Sequence, residues 1–172
     1  GKLVGEREVE IDGRRLHATE AVVLATGSDA SIPPIPGLVD AAPWTSRDAT
    51  NLVEIPARIA VLGGGVVACE AATWLAELGS VVTMVVRGHS LLPSMEPFVG
   101  ERVSSGLRDR GVDIRFGTTF GSVARPEVDD TGYGRVHGGP AVVELADHAG
   151  NAVRRAVGVG RIARCDAPIA FD

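Results

Sequence analysis

The chain has little of three things that often define a protein's class: positive charge, long apolar runs and cysteine. Its 172 residues carry a formal net charge of -5, which argues against a general role in binding nucleic acid. No apolar stretch approaches the length of a membrane span, and no secretory signal opens the sequence. Cys69 and Cys165 are interpreted as buried thiols of a cytoplasmic protein, because nothing in their placement indicates a disulfide or a metal site.

The start of the sequence also lacks an initiator methionine. Gly1 opens the chain, and a strand-like pattern begins almost at once. This beginning predicts an internal piece of a longer protein. The hydrophobic content of 45% indicates a globular chain, long enough for one domain or for parts of two.

The most informative stretch is residues 59–70, IAVLGGGVVACE. A buried parallel strand, a tight turn and the start of a helix give this pattern. Gly63 permits the turn, Gly65 leaves room for a pyrophosphate, and Ala68 lets helix and strand pack closely. The helix would direct N–H groups and about half a positive charge at the phosphates. The predicted dinucleotide contacts here are Gly63, Gly64, Gly65, Val66, Val67, Ala68 and Glu70.

The surroundings of this motif favour a nucleotide site over a glycine turn in an ordinary α/β protein. A helix is predicted over residues 66–78, and Gly79 stands where a C-terminal glycine belongs. An apolar, β-branched run over residues 81–86 closes a βαβ unit. The predicted fold class is therefore α/β, with a Rossmann-like βαβ nucleotide-binding domain.

Other parts of the chain give weaker local signals. We expect a hairpin over residues 3–17 around Asp12-Gly13, and a buried strand over residues 21–25. A short helix is expected within residues 45–52, a helix over residues 96–110 and a strand over residues 112–116. A β-meander is predicted from strands at 118–124, 141–145 and 152–159.

Two motifs together resemble a known family. Residues 25–28 read ATGS, followed by the proline-rich segment 33–37, and both precede Gly63-x-Gly65-x-x-Ala68-x-Glu70. In this order and spacing they resemble the middle of a pyridine nucleotide-disulfide oxidoreductase, the family of dihydrolipoamide dehydrogenase, mercuric reductase and glutathione reductase. The resemblance implies a flavin-domain segment at 1–40, a linker at 41–57, an NAD(P)-binding domain at 58–161 and a return segment at 162–172.

The resemblance also implies a reaction and its cofactors. In such enzymes NAD(P)H delivers hydride to FAD, which then reduces a disulfide or a related acceptor. Thr26 and Gly27 would pass near the FAD. Glu70 would lie near the nicotinamide, or would be an exposed acid of the first helical turn.

Several of the family's features are missing from this sequence. It has no upstream FAD glycine motif and no Cys-x-x-x-x-Cys pair. We therefore expect an inactive fragment that does not hold FAD, derived from a homodimeric parent. Two alternatives stay open: part of a flavoprotein without a redox disulfide, such as a ferredoxin reductase or a monooxygenase, or a binding module with no activity of its own.

The end of the second predicted strand bears on the choice between NAD and NADP. An NAD site usually places Asp or Glu there, whereas this chain has Val86 followed by Arg87. A guanidinium can bind a 2′-phosphate through paired hydrogen bonds, and His89 is a candidate second donor. The alternative is that Arg87 is a solvated loop charge. We favour NADP(H) over NAD(H), and we interpret Arg47 and Arg102 as surface charges.

Overall fold

The structure is a computed structural model that describes residues 1–129, 131–147, 161–165 and 167–170, the last two ranges as backbone. Three sheets and three helices account for its regular elements. In chain order these are β1 (Lys2–Gly5), β2 (Glu8–Ile11), β3 (Arg14–His17), α1 (Ser46–Thr50), β4 (Arg58–Leu62), α2 (Val66–Glu77), β5 (Val81–Val86), α3 (Pro97–Asp109), β6 (Asp113–Phe116), β7 (Thr118–Ala124), β8 (Ala141–Asp147), β9 (Arg161–Cys165) and β10 (Ala167–Ala170).

A parallel four-stranded sheet forms the centre of the molecule, in the order β10-β4-β5-β6. The chain leaves β4 for β5 on one side, while β10 pairs with β4 on the other side. The carboxyl end of β4 is thus a topological switch point, the place where open α/β sheets bind ligands. The prediction of a Rossmann-like α/β fold is confirmed.

The central strands are apolar because both faces of the sheet are covered. Successive side chains point to opposite faces, so Ile59 and Val61 join the core on the side of α2 and α3. Ala60 and Leu62 join a second core against the β7-β8 strands. The meander therefore covers the face that the helices leave open.

Glycines end the two long helices at the predicted places. Helix α2 ends at its C-cap Leu78, and Gly79 follows with φ +96°. Helix α3 begins with a proline in its first turn and ends before Gly111, which has φ +84°. Positive φ favours glycine because it has no Cβ to clash with the backbone.

No helix in the described part of the chain is long and apolar enough to cross a membrane.

The three-stranded meander differs from the prediction at its third strand. Strands β7 and β8 are antiparallel, and β9 follows as the third strand. The predicted strand at 152–159 lies outside the described residues. Within residues 161–170, β9 pairs with β8, and β10 pairs with β4. The return segment expected at 162–172 stays a prediction.

The prediction of a buried strand at residues 21–25 is wrong. This segment has no regular secondary structure, and Val23 is 84% exposed. A strand needs a hydrogen-bonded neighbour, and none of the described sheets extends to this segment. The hairpin around Asp12-Gly13 is confirmed as β2-β3, and β1 adds a third strand to it. Both turn residues have positive φ, 48° and 76°, as a type I′ turn requires.

Candidate dinucleotide-binding site

The glycine turn lies at the carboxyl end of β4, between that strand and α2. Gly63 has φ +121°, a conformation that favours glycine, and its N–H donates to the carbonyl of Val85 at 2.9 Å. Gly65 is the N-cap of α2, with an extended backbone. The turn therefore bends the chain from the sheet into the helix within three residues, as the sequence predicts.

Gly64 and Gly65 have different neighbours. A Cβ on Gly64 would lie 2.8 Å from Cγ1 of Val86 and 3.2 Å from Cδ2 of Leu91, so a side chain here would force these neighbours to shift. A Cβ on Gly65 would meet nothing within 4 Å. The space beside Gly65 is therefore open, whereas Gly64, also predicted as a dinucleotide contact, is packed against the end of β5.

The N-terminus of α2 faces this open space without a side-chain cap. The N–H of Cys69 donates to the carbonyl of Gly65 at 3.0 Å, which closes the first turn of the helix. N–H groups in the first turn have no partner within a helix and carry its partial positive charge. Val66 and Val67 are exposed here, while Ala68 is buried against the sheet. This arrangement suits an anion such as a pyrophosphate.

Two side chains further along α2 complete this region. Glu70 is exposed and lies in the second turn, since the first turn contains no acid. The alternative of an exposed first-turn acid is therefore right about the exposure of Glu70 and wrong about its turn. Cys69 is buried, and its Sγ lies 3.7 Å from the carbonyl oxygen of Gly64. Burial, with the nearby charge of Glu70 adding to it, raises the pKa of the Cys69 thiol to about 11.

The predicted ribose-side residues lie at the end of β5 and in the loop after it. Val86 is buried and packs on Gly64, while Arg87 is exposed and makes no ion pair or hydrogen bond within the described residues. His89 is also exposed, and its ring lies beside Gly117. The loop is attached to the glycine turn by the N–H of Leu92, which donates to the carbonyl of Gly64 at 2.8 Å. The structure therefore brings the glycine turn and the 86–92 loop together.

Thr26 and Gly27 are not joined to the glycine turn by any hydrogen bond or ion pair of the described residues. Both are exposed, and they lie in a segment without regular secondary structure. Gly27 has φ +73°, and nothing lies within 4 Å of the position of its missing Cβ. These two residues alone do not form a cofactor site.

A second polar region lies around α1 and was missed by the sequence analysis. Its cavity of about 480 Å³ shares no lining residue with the glycine turn. Asp48 and His137 line this cavity and are both buried, with 3.8 Å between Oδ1 of the carboxylate and Nε2 of the imidazole. No group of three or more potential metal ligands occurs among the described residues. Residues this far apart in sequence give no local signal that they meet.

Comparisons with known proteins agree on the family that these features resemble. Residues 1–165 match the family model described as pyridine nucleotide-disulphide oxidoreductase. The mercuric reductase of Shigella flexneri is 40% identical over 112 residues, which are 65% of this chain and 20% of that reductase. The mercuric reductase of Acidithiobacillus ferrooxidans is 37% identical over 127 residues, which are 72% of this chain and 23% of that reductase. The chain thus spans less than a quarter of the length of these two relatives.

Solved structures show the same fold. The Cu(II) complex of the HOCl-induced flavoprotein disulfide reductase RclA from Escherichia coli matches 99% of this chain and 34% of its own, with a TM-score of 0.71 and 22% identity. A second structure, of the HOCl-induced flavoprotein disulfide reductase RclA from Escherichia coli, matches 95% of this chain and 32% of its own, with a TM-score of 0.69 and 23% identity.

Proposed function

Because the chain belongs to the pyridine nucleotide-disulphide oxidoreductase family, we propose that it is the NAD(P)H-binding part of a flavin-dependent oxidoreductase and positions NADPH for hydride transfer to FAD. The observation that carries this proposal is the open space beside Gly65 at the uncapped N-terminus of α2. We assign residues 58–161 to the dinucleotide-binding domain, which β9 and β10 extend by pairing with β8 and β4. Residues 1–40 are assigned to a flavin-domain segment and residues 41–57 to the linker.

The glycine turn and α2 would hold the pyrophosphate. A helix of 12 residues with no side-chain cap offers its first N–H groups to an anion. The missing Cβ of Gly65 lets that anion approach the backbone closely. Glu70, on an exposed position of the second turn, is our candidate for the nicotinamide side. When bound, the dinucleotide supplies the hydride, and the residues of this chain bind and orient it.

The 86–92 loop supports a preference for NADPH. Val86 occupies the position that holds an acid in NAD sites, so this chain offers no carboxylate to the ribose there. Its side chain is buried against Gly64. Arg87 follows it, exposed and without a partner among the described residues. A guanidinium free to form paired hydrogen bonds suits a 2′-phosphate. His89, on the same loop, is the candidate second donor.

The flavin would be held by other parts of the parent protein. Thr26 and Gly27 would contribute one stretch of backbone beside FAD, and they are too few to hold it. We therefore propose a homodimeric parent enzyme whose further domains bind FAD, and an isolated chain that is inactive. The chain should purify colourless, and a stoichiometric yellow flavin would contradict this part of the proposal.

Calorimetric titration with NADPH and NADH tests the dinucleotide preference. We expect NADPH to bind about 10- to 100-fold more tightly than NADH. This ratio corresponds to the free energy that a hydrogen bond to a charged group contributes. Arg87→Ala should bring the two affinities close together while NADH binding stays the same. Arg102→Ala, which removes another exposed arginine, is the control and should leave the ratio unchanged. Equal affinities in the unmodified chain, with no effect of Arg87→Ala, would remove Arg87 from the site.

A further inference from the structure

Arg47, interpreted from the sequence as a surface charge, connects two parts of the chain that are far apart in sequence. Its Nη2 lies 3.0 Å from Oδ1 of Asp29 and 3.5 Å from the carbonyl oxygen of Ser28. Its Nη1 donates to the hydroxyl of Tyr133 at 3.0 Å, and its guanidinium carbon lies 5.4 Å from the centre of the Tyr133 ring. The hydrogen bond to Tyr133, with the charges of Tyr133 and Asp29 adding to it, raises the pKa of Arg47.

The helix that carries Arg47 is itself fixed to the nucleotide-binding unit. Asp48 is buried and accepts hydrogen bonds from the N–H of Thr45 at 2.8 Å and from the N–H of Gly134 at 3.2 Å. Next to the helix, Nε1 of Trp44 donates to the carbonyl of Arg135 at 2.7 Å. Buried polar contacts of this kind leave little freedom to the groups that make them. Helix α1 therefore keeps its place against the 131–137 loop.

The loop that receives α1 is much longer than a usual hairpin connection. It joins Ala124 of β7 to Ala141 of β8, whereas hairpin loops commonly have about two to five residues. Within it, Gly134 has φ +70° and lies so close to the carbonyl of Asn51 that a Cβ would collide with that group. Long ordered loops usually have a function beyond connection. Here the loop holds the linker.

The segment on the other side of Arg47 has few attachments of its own. Within residues 20–31, the hydrogen bonds and ion pairs recorded among the described residues are those that Arg47 makes with Ser28 and Asp29. Thr26 and Gly27, the expected flavin contacts, come directly before these two residues. The polar attachment of the Thr26-Gly27 segment therefore comes from one exposed arginine, and the next anchor along the chain is Ile32, which packs against the second core.

We propose that Arg47 is a positioning residue that holds the Thr26-Gly27 segment in place against the nucleotide-binding unit. This inference rests on the proposed function, in which that segment lies beside FAD and the glycine turn binds NADPH. Arg47 touches neither site, so its effect would be on their relative position. Dinucleotide affinity should be independent of it.

The single tyrosine of the chain offers a direct probe of this connection. In protein labelled with 3-fluorotyrosine, one ¹⁹F resonance reports on Tyr133. Arg47→Ala should shift this resonance, and so should Asp29→Ala, because Arg47 contacts both groups. The controls Arg102→Ala and Asp40→Ala, at two other exposed charges, should leave it unchanged. A ¹⁹F chemical shift that stays the same in both Arg47→Ala and Asp29→Ala would overturn the proposed connection.

Backbone relaxation measures the positional effect. In the unmodified chain, amides 26–29 should have order parameters near the rigid value of about 0.85, and in Arg47→Ala these should fall below about 0.6. Arg47→Lys keeps the pair with Asp29 but loses the planar contact with Tyr133, and should give an intermediate value. The NADPH dissociation constant should stay within about twofold in all variants, because no contact of Arg47 reaches the glycine turn.

The measurements distinguish a failure of the role of Arg47 from a failure of the proposed function. Unchanged order parameters at 26–29 in Arg47→Ala would overturn the role of Arg47, whatever the affinity for NADPH. A loss of NADPH affinity in Arg47→Ala with the order parameters intact would also overturn it. No binding of NADPH to the unmodified chain would instead overturn the proposed function on which the inference rests.

Discussion

The central β4-α2-β5 unit and the N-terminal part of the chain differ in how their apolar residues are covered. In the β4-α2-β5 unit, Leu75 of α2 is fully buried between the helices and the sheet. In the N-terminal part, Leu24 is 68% exposed, and Leu16 of β3 is 48% exposed. The same residue type is therefore core in one region and surface in the other. In the first region, helices and strands of this chain cover both faces of the sheet. In the second region, no described part of the chain covers Leu24 or Leu16 in this way.

The largest expected difference follows from one substitution made in both regions. Leu75→Ala should lower the free energy of unfolding by about 2–5 kcal/mol, because it removes buried methyl groups and leaves a cavity. Leu24→Ala should change it by no more than about 0.5 kcal/mol, since the side chain is already in solvent. Urea denaturation followed by circular dichroism measures both. Equal losses of stability would mean that residues 21–25 are packed against something, contrary to the structure.

A smaller effect is expected for Asp48, the buried carboxylate of α1. Asp48→Ala removes the acceptor of the Thr45 and Gly134 N–H groups and should lower the unfolding free energy by about 1–3 kcal/mol. Asp40→Ala, at an exposed position eight residues earlier, should stay within about 0.5 kcal/mol. The same denaturation curves give both values. Identical curves for the two variants would show that the unfolding free energy does not depend on the buried hydrogen bonds of Asp48.

The glycine turn allows the same comparison within two adjacent residues. Gly64→Ala would force Val86 or Leu91 to move and should lower the unfolding free energy by about 1–3 kcal/mol. Gly65→Ala adds a methyl group to open space, so its loss should be no more than about 1 kcal/mol, which is the cost of Ala at an N-cap. Differential scanning calorimetry checks the pair. The reverse order of stabilities would contradict the packing around the turn.

The smallest effect concerns the reactivity of Cys69. Because its pKa is raised to about 11, little thiolate is present at neutral pH, and iodoacetamide should modify this cysteine at least tenfold more slowly than in the unfolded chain. A raised pKa means that the folded state holds the proton more tightly. Its contribution to stability is therefore present below pH 9 and is lost as the pH rises towards 11. Peptide mass spectrometry follows the reaction at Cys69, and equal rates in folded and unfolded chains would show that the thiol is accessible.

The same contrast explains what could be predicted from the sequence. The strand, turn and helix at 58–78 follow from local signals: a continuous apolar run, a glycine that tolerates positive φ, and small residues at helical spacing. The apolar run at 21–25 gave the same strand signal, but a strand also needs a partner, which no local pattern reveals. The contacts of Asp48 with Gly134 and of Arg47 with Tyr133 join residues far apart in sequence, so composition and spacing could not indicate them.

The role of Gly64 marks the limit of motif reasoning within the site itself. The motif specifies Gly63, Gly65 and Ala68 and leaves the middle position free. In the structure Gly64 is packed against the end of β5, where Val86 makes the position too crowded for a Cβ. This restriction comes from a side chain of another strand, so it can be recognised from the structure and not from the motif.

The most direct test of the central claim is the affinity of Gly65→Val for NADPH, measured by calorimetric titration beside its melting temperature. The claim is that the open space next to Gly65 admits the pyrophosphate to the N-terminus of α2. The account predicts that binding is lost, with a dissociation constant at least about 100-fold higher, while the variant stays folded and its stability falls by no more than about 1 kcal/mol, the cost of a poor N-cap residue. Unaltered NADPH binding by a folded Gly65→Val variant would contradict it.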